Sequence, residues 1–106
     1  MHVLIARFTY EGMTPAEFEA SAVQLAPNFA AVPGCIEKTW IIDPEARRAG
    51  GVYKFRDRNA LDAYLASDLW AAVLSTPQFT NLTTEVFGTV AEATRITRGL
   101  AEAVPA

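Results

Sequence analysis

The sequence predicts an α+β fold with elements in the order β-α-β-β-α-β, and three observations predict it. The chain has 106 residues, the size of one domain built on one core. Its apolar residues switch between a spacing of two and a spacing of three to four, the signatures of strands and helices. Turn and cap residues fall where the spacing switches. A hydrophobic content of 51% against 20% charged residues is a globular balance that argues against disorder.

The first strand is His2 to Tyr10, "HVLIARFTY", rich in β-branched and aromatic residues. Val3, Ile5 and Arg7 share one face, and Leu4, Ala6 and Phe8 share the other. Both faces are largely apolar, as in a strand covered on both sides, and Arg7 is the odd member. "TPAEFEASAVQLAPNF" opens the first helix: Thr14 is placed as N-cap, Pro15 at the first helical position and Glu17 as the far half of a capping box. Phe18, Ala22, Leu25 and Phe29 then fall on one stripe, and Pro27 predicts an end or kink near Ala26. "VPG", Val32 to Gly34, is a turn signal.

"CIEKTWIID", Cys35 to Asp43, alternates as a strand, with Ile36, Lys38, Trp40 and Ile42 opposite Cys35, Glu37, Thr39 and Ile41. "PEARRAGG" reads as a polar hairpin loop whose glycines permit positive φ or a bulge. "VYKF" is the third strand, with Tyr53 and Phe55 on one face. Asp57 is a suitable N-cap for a second helix with Leu61, Tyr64 and Leu65 inward. "SDLW" restarts helix after a break, pointing Trp70, Val73 and Leu74 inward, and Thr76-Pro77 stops it. "FTNLTTEVFGTV" returns to strand. Residues 92–106 read as a short polar tail on a single domain spanning 1–106.

This order is the ferredoxin-like arrangement, whose antiparallel sheet carries both helices on one face. Apolar residues on the other face call for a cover, and a second copy packed sheet against sheet is the simplest one. The expectation is a homodimer that forms a dimeric α/β barrel.

Composition narrows the function. A net charge of -3 gives no basic footprint for nucleic acid. One cysteine and one histidine exclude an intrachain disulfide, a cysteine zinc site, and Ser-His-Asp, Cys-His or multi-histidine chemistry within one chain. "MHVLIARFTYEG" lacks the basic region, long apolar core and cleavage site of a secretion signal. No apolar run approaches membrane-spanning length. The expected compartment is the cytoplasm.

Two adjacent glycines, Gly50 and Gly51, stand directly before an aromatic strand, where they let the strand bend while its backbone runs close to a neighbour. "PGCIEKTW", a charged loop, "AGGVYKFRD", "ALDAYL" and "EVFGTV" resemble, in order and spacing, the YdhR-like monooxygenase family. That family lies within the dimeric α/β barrel group that also holds the antibiotic-biosynthesis monooxygenases. The similarity runs over nearly the whole chain and is most specific from Pro33-Gly34 to Tyr64. It implies a cofactor-independent oxygenase, with neither metal nor flavin. In its better-understood cousins a polycyclic phenol or anthrone sits between sheet and helices, loses a proton, and passes an electron to molecular oxygen. Such chemistry needs an apolar pocket, a polar group to ease deprotonation, and a donor or positive charge for the oxyanion.

On this reading the candidate catalytic residues are Arg7, Tyr53 and Trp40. Trp40, at the family's tryptophan position, stacks on a flat ligand or is a core aromatic. The Tyr53 hydroxyl meets a substrate oxygen or is the wet tip of a buried ring. Arg7 anchors an oxyanion, pairs with Glu37 or Glu85 across the sheet, or lies at the dimer seam. Phe29, Tyr64, Trp70 and Phe87 are the candidate substrate-binding residues, each also readable as core; Trp70 is placed at the pocket mouth. His2 follows the initiator Met at a chain end and is set aside as a base. No interior histidine exists for haem ligation. The expected partners are a hydrophobic aromatic or polyketide-like small molecule and molecular oxygen. Two other readings stay open, an isomerase or cyclase on the same barrel and a non-enzymatic ligand-binding barrel.

Overall fold

β1, His2–Tyr10, is the strand around which the molecule is arranged. In the computed structural model, which describes residues 1–99, it lies between two antiparallel neighbours. The sheet has four strands in the order β2-β3-β1-β4, with β2 at Cys35–Asp43, β3 at Arg48–Phe55 and β4 at Phe79–Gly88. Between β1 and β2 runs α1, Pro15–Ala30; between β3 and β4 run α2, Arg58–Leu65, and α3, Asp68–Leu74. A short α4, Ala91–Ile96, follows β4. The expected tail therefore begins as helix, and its part from residue 100 onward lies outside the described residues. No helix among the described residues is long and apolar enough to cross a membrane.

Register decides which face is which. Leu4 pairs with Tyr53, Ala6 with Gly51 and Phe8 with Ala49 across β1 and β3, and Lys38 and Trp40 of β2 pair with Tyr53 and Gly51. Paired residues share a face, so all of these lie on the side the helices cover. Leu4, Tyr10, Phe55, Leu61 and Tyr64 are the largest fully buried side chains. The opposite side, the outer face, holds Val3, Ile5, Arg7, Ile41, Val52, Glu85 and Phe87. The turn at Gly99 that follows α4 comes near Lys54 on this face, and Phe87 is 50% exposed.

The caps at Thr14 and Asp57 are made as the sequence predicts, and Ser67 adds a third. Thr14 and Glu17 form a reciprocal capping box at α1, Asp57 caps α2 through the Ala60 N–H, and Ser67 caps α3 through the Trp70 N–H. Three local expectations are corrected. α1 does not stop near Ala26 but runs through Pro27 to Ala30. Proline's missing N–H frees the carbonyl four residues back, and that residue is Val23, 75% exposed, where water can replace the lost partner. Leu74 does not point inward but is largely exposed, since a helix as short as α3 buries one stripe through Trp70 and Val73. The glycine pair is not loop: β3 begins at Arg48, and the positive φ falls on Arg47 instead.

Gly50 and Gly51 sit between two paired strands and answer to both. A methyl on Gly50 would run into the carbonyl oxygen of Ala6 on β1. A methyl on Gly51 would meet the Lys38 Cε at 2.7 Å and the Tyr53 ring at 3.2 Å. The close approach expected from the sequence is present; the ladder's irregularities lie elsewhere, between Cys35 and Glu37 and between Arg7 and Thr9.

Candidate functional site

Between the covered face of the sheet and helices α1 and α3 lies a cavity of about 400 Å³. That is within the range of small-molecule sites, roughly 300–1,000 Å³. Ala6 and Gly51 leave its floor low, because neither side chain fills the space that a larger residue would take. Phe18 and Phe29 of α1 form one wall, and Leu69 and Trp70 of α3 form another. A trough of about 450 Å³ on the outer face is larger, but it has the sheet as floor and no second layer as roof. The inner cavity has α1 and α3 as a second layer over the sheet and can surround a ligand.

The sequence's candidates divide between the two faces. Trp40, Tyr53, Phe29 and Trp70 all line the cavity. Phe29 meets Trp40 edge-on with ring centroids 5.2 Å apart. Tyr64 stands one layer behind, its ring 5.6 Å from Trp70 and its hydroxyl 2.9 Å from that of Tyr53. Arg7 and Phe87 do not reach the cavity. Both alternate onto the outer face, because they are out of phase with Leu4, Ala6 and Val86. Arg7 there pairs with Glu85, one of the partners its position suggested.

The feature that sequence reasoning passed over is Lys38. Its Nζ lies 3.5 Å from the ring centroids of both Phe29 and Trp40 and 4.6 Å from that of Tyr53. Three rings from α1, β2 and β3 therefore surround the amine at the cavity wall. Its neighbour on the chain, Glu37, points to the outer face and pairs with Lys54. None of the ion pairs formed by the described residues includes Lys38.

Two effects act on the Lys38 amine in opposite directions. Burial without a counter-ion disfavours the ammonium and brings its pKa down to about 7, with the nearby Cys35 sulfur opposing slightly. The ring faces favour the cation. The hydroxyl pair behaves differently. Burial pushes Tyr53 far above its usual range, with Tyr64 adding to the shift, and pushes Tyr64 up to about 12. Both stay protonated near neutrality, so the pair can donate one hydrogen bond internally and keep a second for a guest. Cys35 is also raised by burial, which makes its thiol a poor nucleophile. No three His, Cys, Asp or Glu side chains gather as a metal-binding set among the described residues.

The chain matches the family model "Putative mono-oxygenase ydhR" over residues 3–100. It belongs to this family. Among solved structures it is similar to a point variant of SnoaB, a cofactor-independent oxygenase from Streptomyces nogalater, with 25% identity and a TM-score of 0.66. That match covers 84% of this chain and 92% of the other. It is similar in fold to Rv0793 from Mycobacterium tuberculosis at 18% identity and TM-score 0.67, covering 87% and 97% of the two chains. A Deinococcus radiodurans protein described as a "putative antibiotic biosynthesis monooxygenase" shares the fold at 14% identity and TM-score 0.67, covering 84% and 92%. No curated protein matches the chain. The family and these neighbours support a monooxygenase-type α+β fold with the ferredoxin-like order.

Proposed function

We propose that the protein oxygenates a flat, hydrophobic aromatic or polyketide-like molecule in the inner cavity, using molecular oxygen and no bound cofactor. The observation that carries this reading is the cavity itself, walled by Phe29, Trp40, Tyr53 and Trp70 with a low floor at Gly51. Apolar walls favour a planar ring system through area burial and stacking, and family membership supplies the reaction class. The balance is simple for an anthrone: its CH2 and one O2 become a carbonyl and a water. The guest's ring system holds the electrons, so the protein's part is to bind it, keep bulk water out and ease the loss of its proton.

In this proposal the working unit is a homodimer. The outer face offers Val3, Ile5, Ile41 and Val52, with the pairs Arg7–Glu85 and Arg48–Asp43 nearby. Arg48–Asp43 lies at the hairpin end of that face and Arg7–Glu85 beside Ile5 within it, an apolar surface with a few charges of the kind a second sheet would cover.

The test is oxygen uptake. Metal-free protein mixed with a panel of anthrone-type phenols is expected to consume oxygen in step with quinone formation. No uptake above the protein-free rate across the panel would overturn the oxygenase reading. Turnover that continues under nitrogen would instead support an isomerase or cyclase on the same barrel.

A further inference from the structure

The geometry points to Lys38 as the residue that takes the proton from the guest. This inference rests on the small-molecule reading of the inner cavity. It concerns the proton and not the oxygen.

Among the cavity-lining side chains Lys38 is the only charged one. Arg7 is on the other side of the sheet, tied to Glu85. The titratable groups near Lys38 are the Tyr53 hydroxyl on β3, the Tyr64 hydroxyl behind it on α2, and the Cys35 thiol on its own strand. α1 and α3 turn Leu25, Phe29 and Leu69 toward the cavity, none of them ionisable. Burial holds Tyr53, Tyr64 and Cys35 in their protonated forms. Only the lysine can be a neutral acceptor near pH 7.

The step is a plain proton transfer. The C–H or O–H bond of the guest breaks, its electron pair stays on the ring system, and a new N–H bond turns the Lys38 amine into an ammonium. The guest anion is then the counter-ion that the Lys38 site otherwise lacks, paired with the ammonium in a low-dielectric pocket where the attraction is strong. Either hydroxyl can donate the hydrogen bond that Tyr53 and Tyr64 share; when Tyr64 donates it, the Tyr53 O–H can turn to the guest's oxygen.

The experiment uses 1,8-dihydroxy-9-anthrone under nitrogen, where no oxygenation can occur. Binding is read by quenching of tryptophan fluorescence, and ionisation by the visible band of the bound anion across pH. Wild type is expected to lower the probe's ionisation midpoint by about one pH unit or more, a tenfold shift in the equilibrium. At a pH below the free probe's ionisation midpoint, where the neutral form binds, Lys38→Met is expected to bind it within about threefold of wild type, under about 1 kcal/mol, and across pH to lose that shift together with the matching gain in affinity for the anion. Lys38→Gln gives the same reading should the methionine variant fold poorly. A variant that keeps the wild-type midpoint, or a wild type that binds the probe only in its neutral form or not at all, overturns the inference. The two readings fail separately. Anion formation that depends on Lys38, without oxygen uptake in air, sinks the oxygenase reading alone. Oxygen uptake unchanged in Lys38→Met sinks the lysine assignment alone.

Discussion

Lys38 carries a cost that can be measured without any guest. In the unfolded chain its ammonium persists to the ordinary value of 10.5, whereas the folded site releases the proton near 7. Between those values the unfolded chain binds more protons, so stability rises with pH across that window. Below it, wild type carries the full penalty of a buried charge with no counter-ion. Lys38→Met removes the group, so it should be more stable than wild type at pH 6 and lose that advantage toward pH 10. The expected difference between the two ends is at least about 1 kcal/mol, roughly 4 °C in Tm, read by thermal melts across pH. A constant offset at all pH values would mean that the amine keeps its proton. The sequence concealed this residue for a physical reason. A lysine at an alternating strand position reads as a solvated charge, and nothing local says that Phe29, Trp40 and Tyr53 converge on it from three elements. Arg7 misled in the opposite way: a charge in an apolar strand stands out on either face, and only register assigns it to the outer one.

At the scale of the element, β3 sets how deep the cavity is. The two glycines should respond differently to a methyl group. Gly50→Ala meets the backbone of β1, which cannot yield without breaking the ladder, so a loss at the upper end of overpacking costs, about 3 kcal/mol, is expected. Gly51→Ala meets the Lys38 stem and the Tyr53 ring edge, which can swing away; its loss should be nearer 1 kcal/mol. Chemical denaturation of both variants checks the order, and equal losses would contradict it. Gly51→Ala should also weaken guest binding, because the displaced lysine moves into the space above the floor. The strands, caps and helix stripes were legible because alternation and capping are local codes, as the Thr14–Glu17 box and the Asp57 cap illustrate. The start of β3 and the end of α1 were not. Pairing on both sides makes strand of Arg48 to Gly51 regardless of their turn-like composition, and exposure at Val23 makes Pro27 tolerable.

At the scale of the molecule, the outer face is the testable surface. Ile5 and Val52 are register partners at the middle of the sheet, so a charge there falls at the centre of any sheet-to-sheet contact. Ile5→Glu should shift the sedimentation profile from dimer to monomer, since a second carboxylate buried beside Glu85, the register partner of Ile5 on β4, costs several kcal/mol at such a centre. A wild type that already sediments as a monomer would remove the dimer from the proposal. The sequence showed that both sheet faces are apolar but not which one holds a guest, since that depends on where the helices land. The sheet is a single layer, and consecutive residues such as Thr39, Trp40 and Ile41, or Gly50 and Gly51, look out on opposite sides of it. The compartment and the exterior thus share one wall with no insulation between them. Any shift of backbone that widens one side must reshape the other.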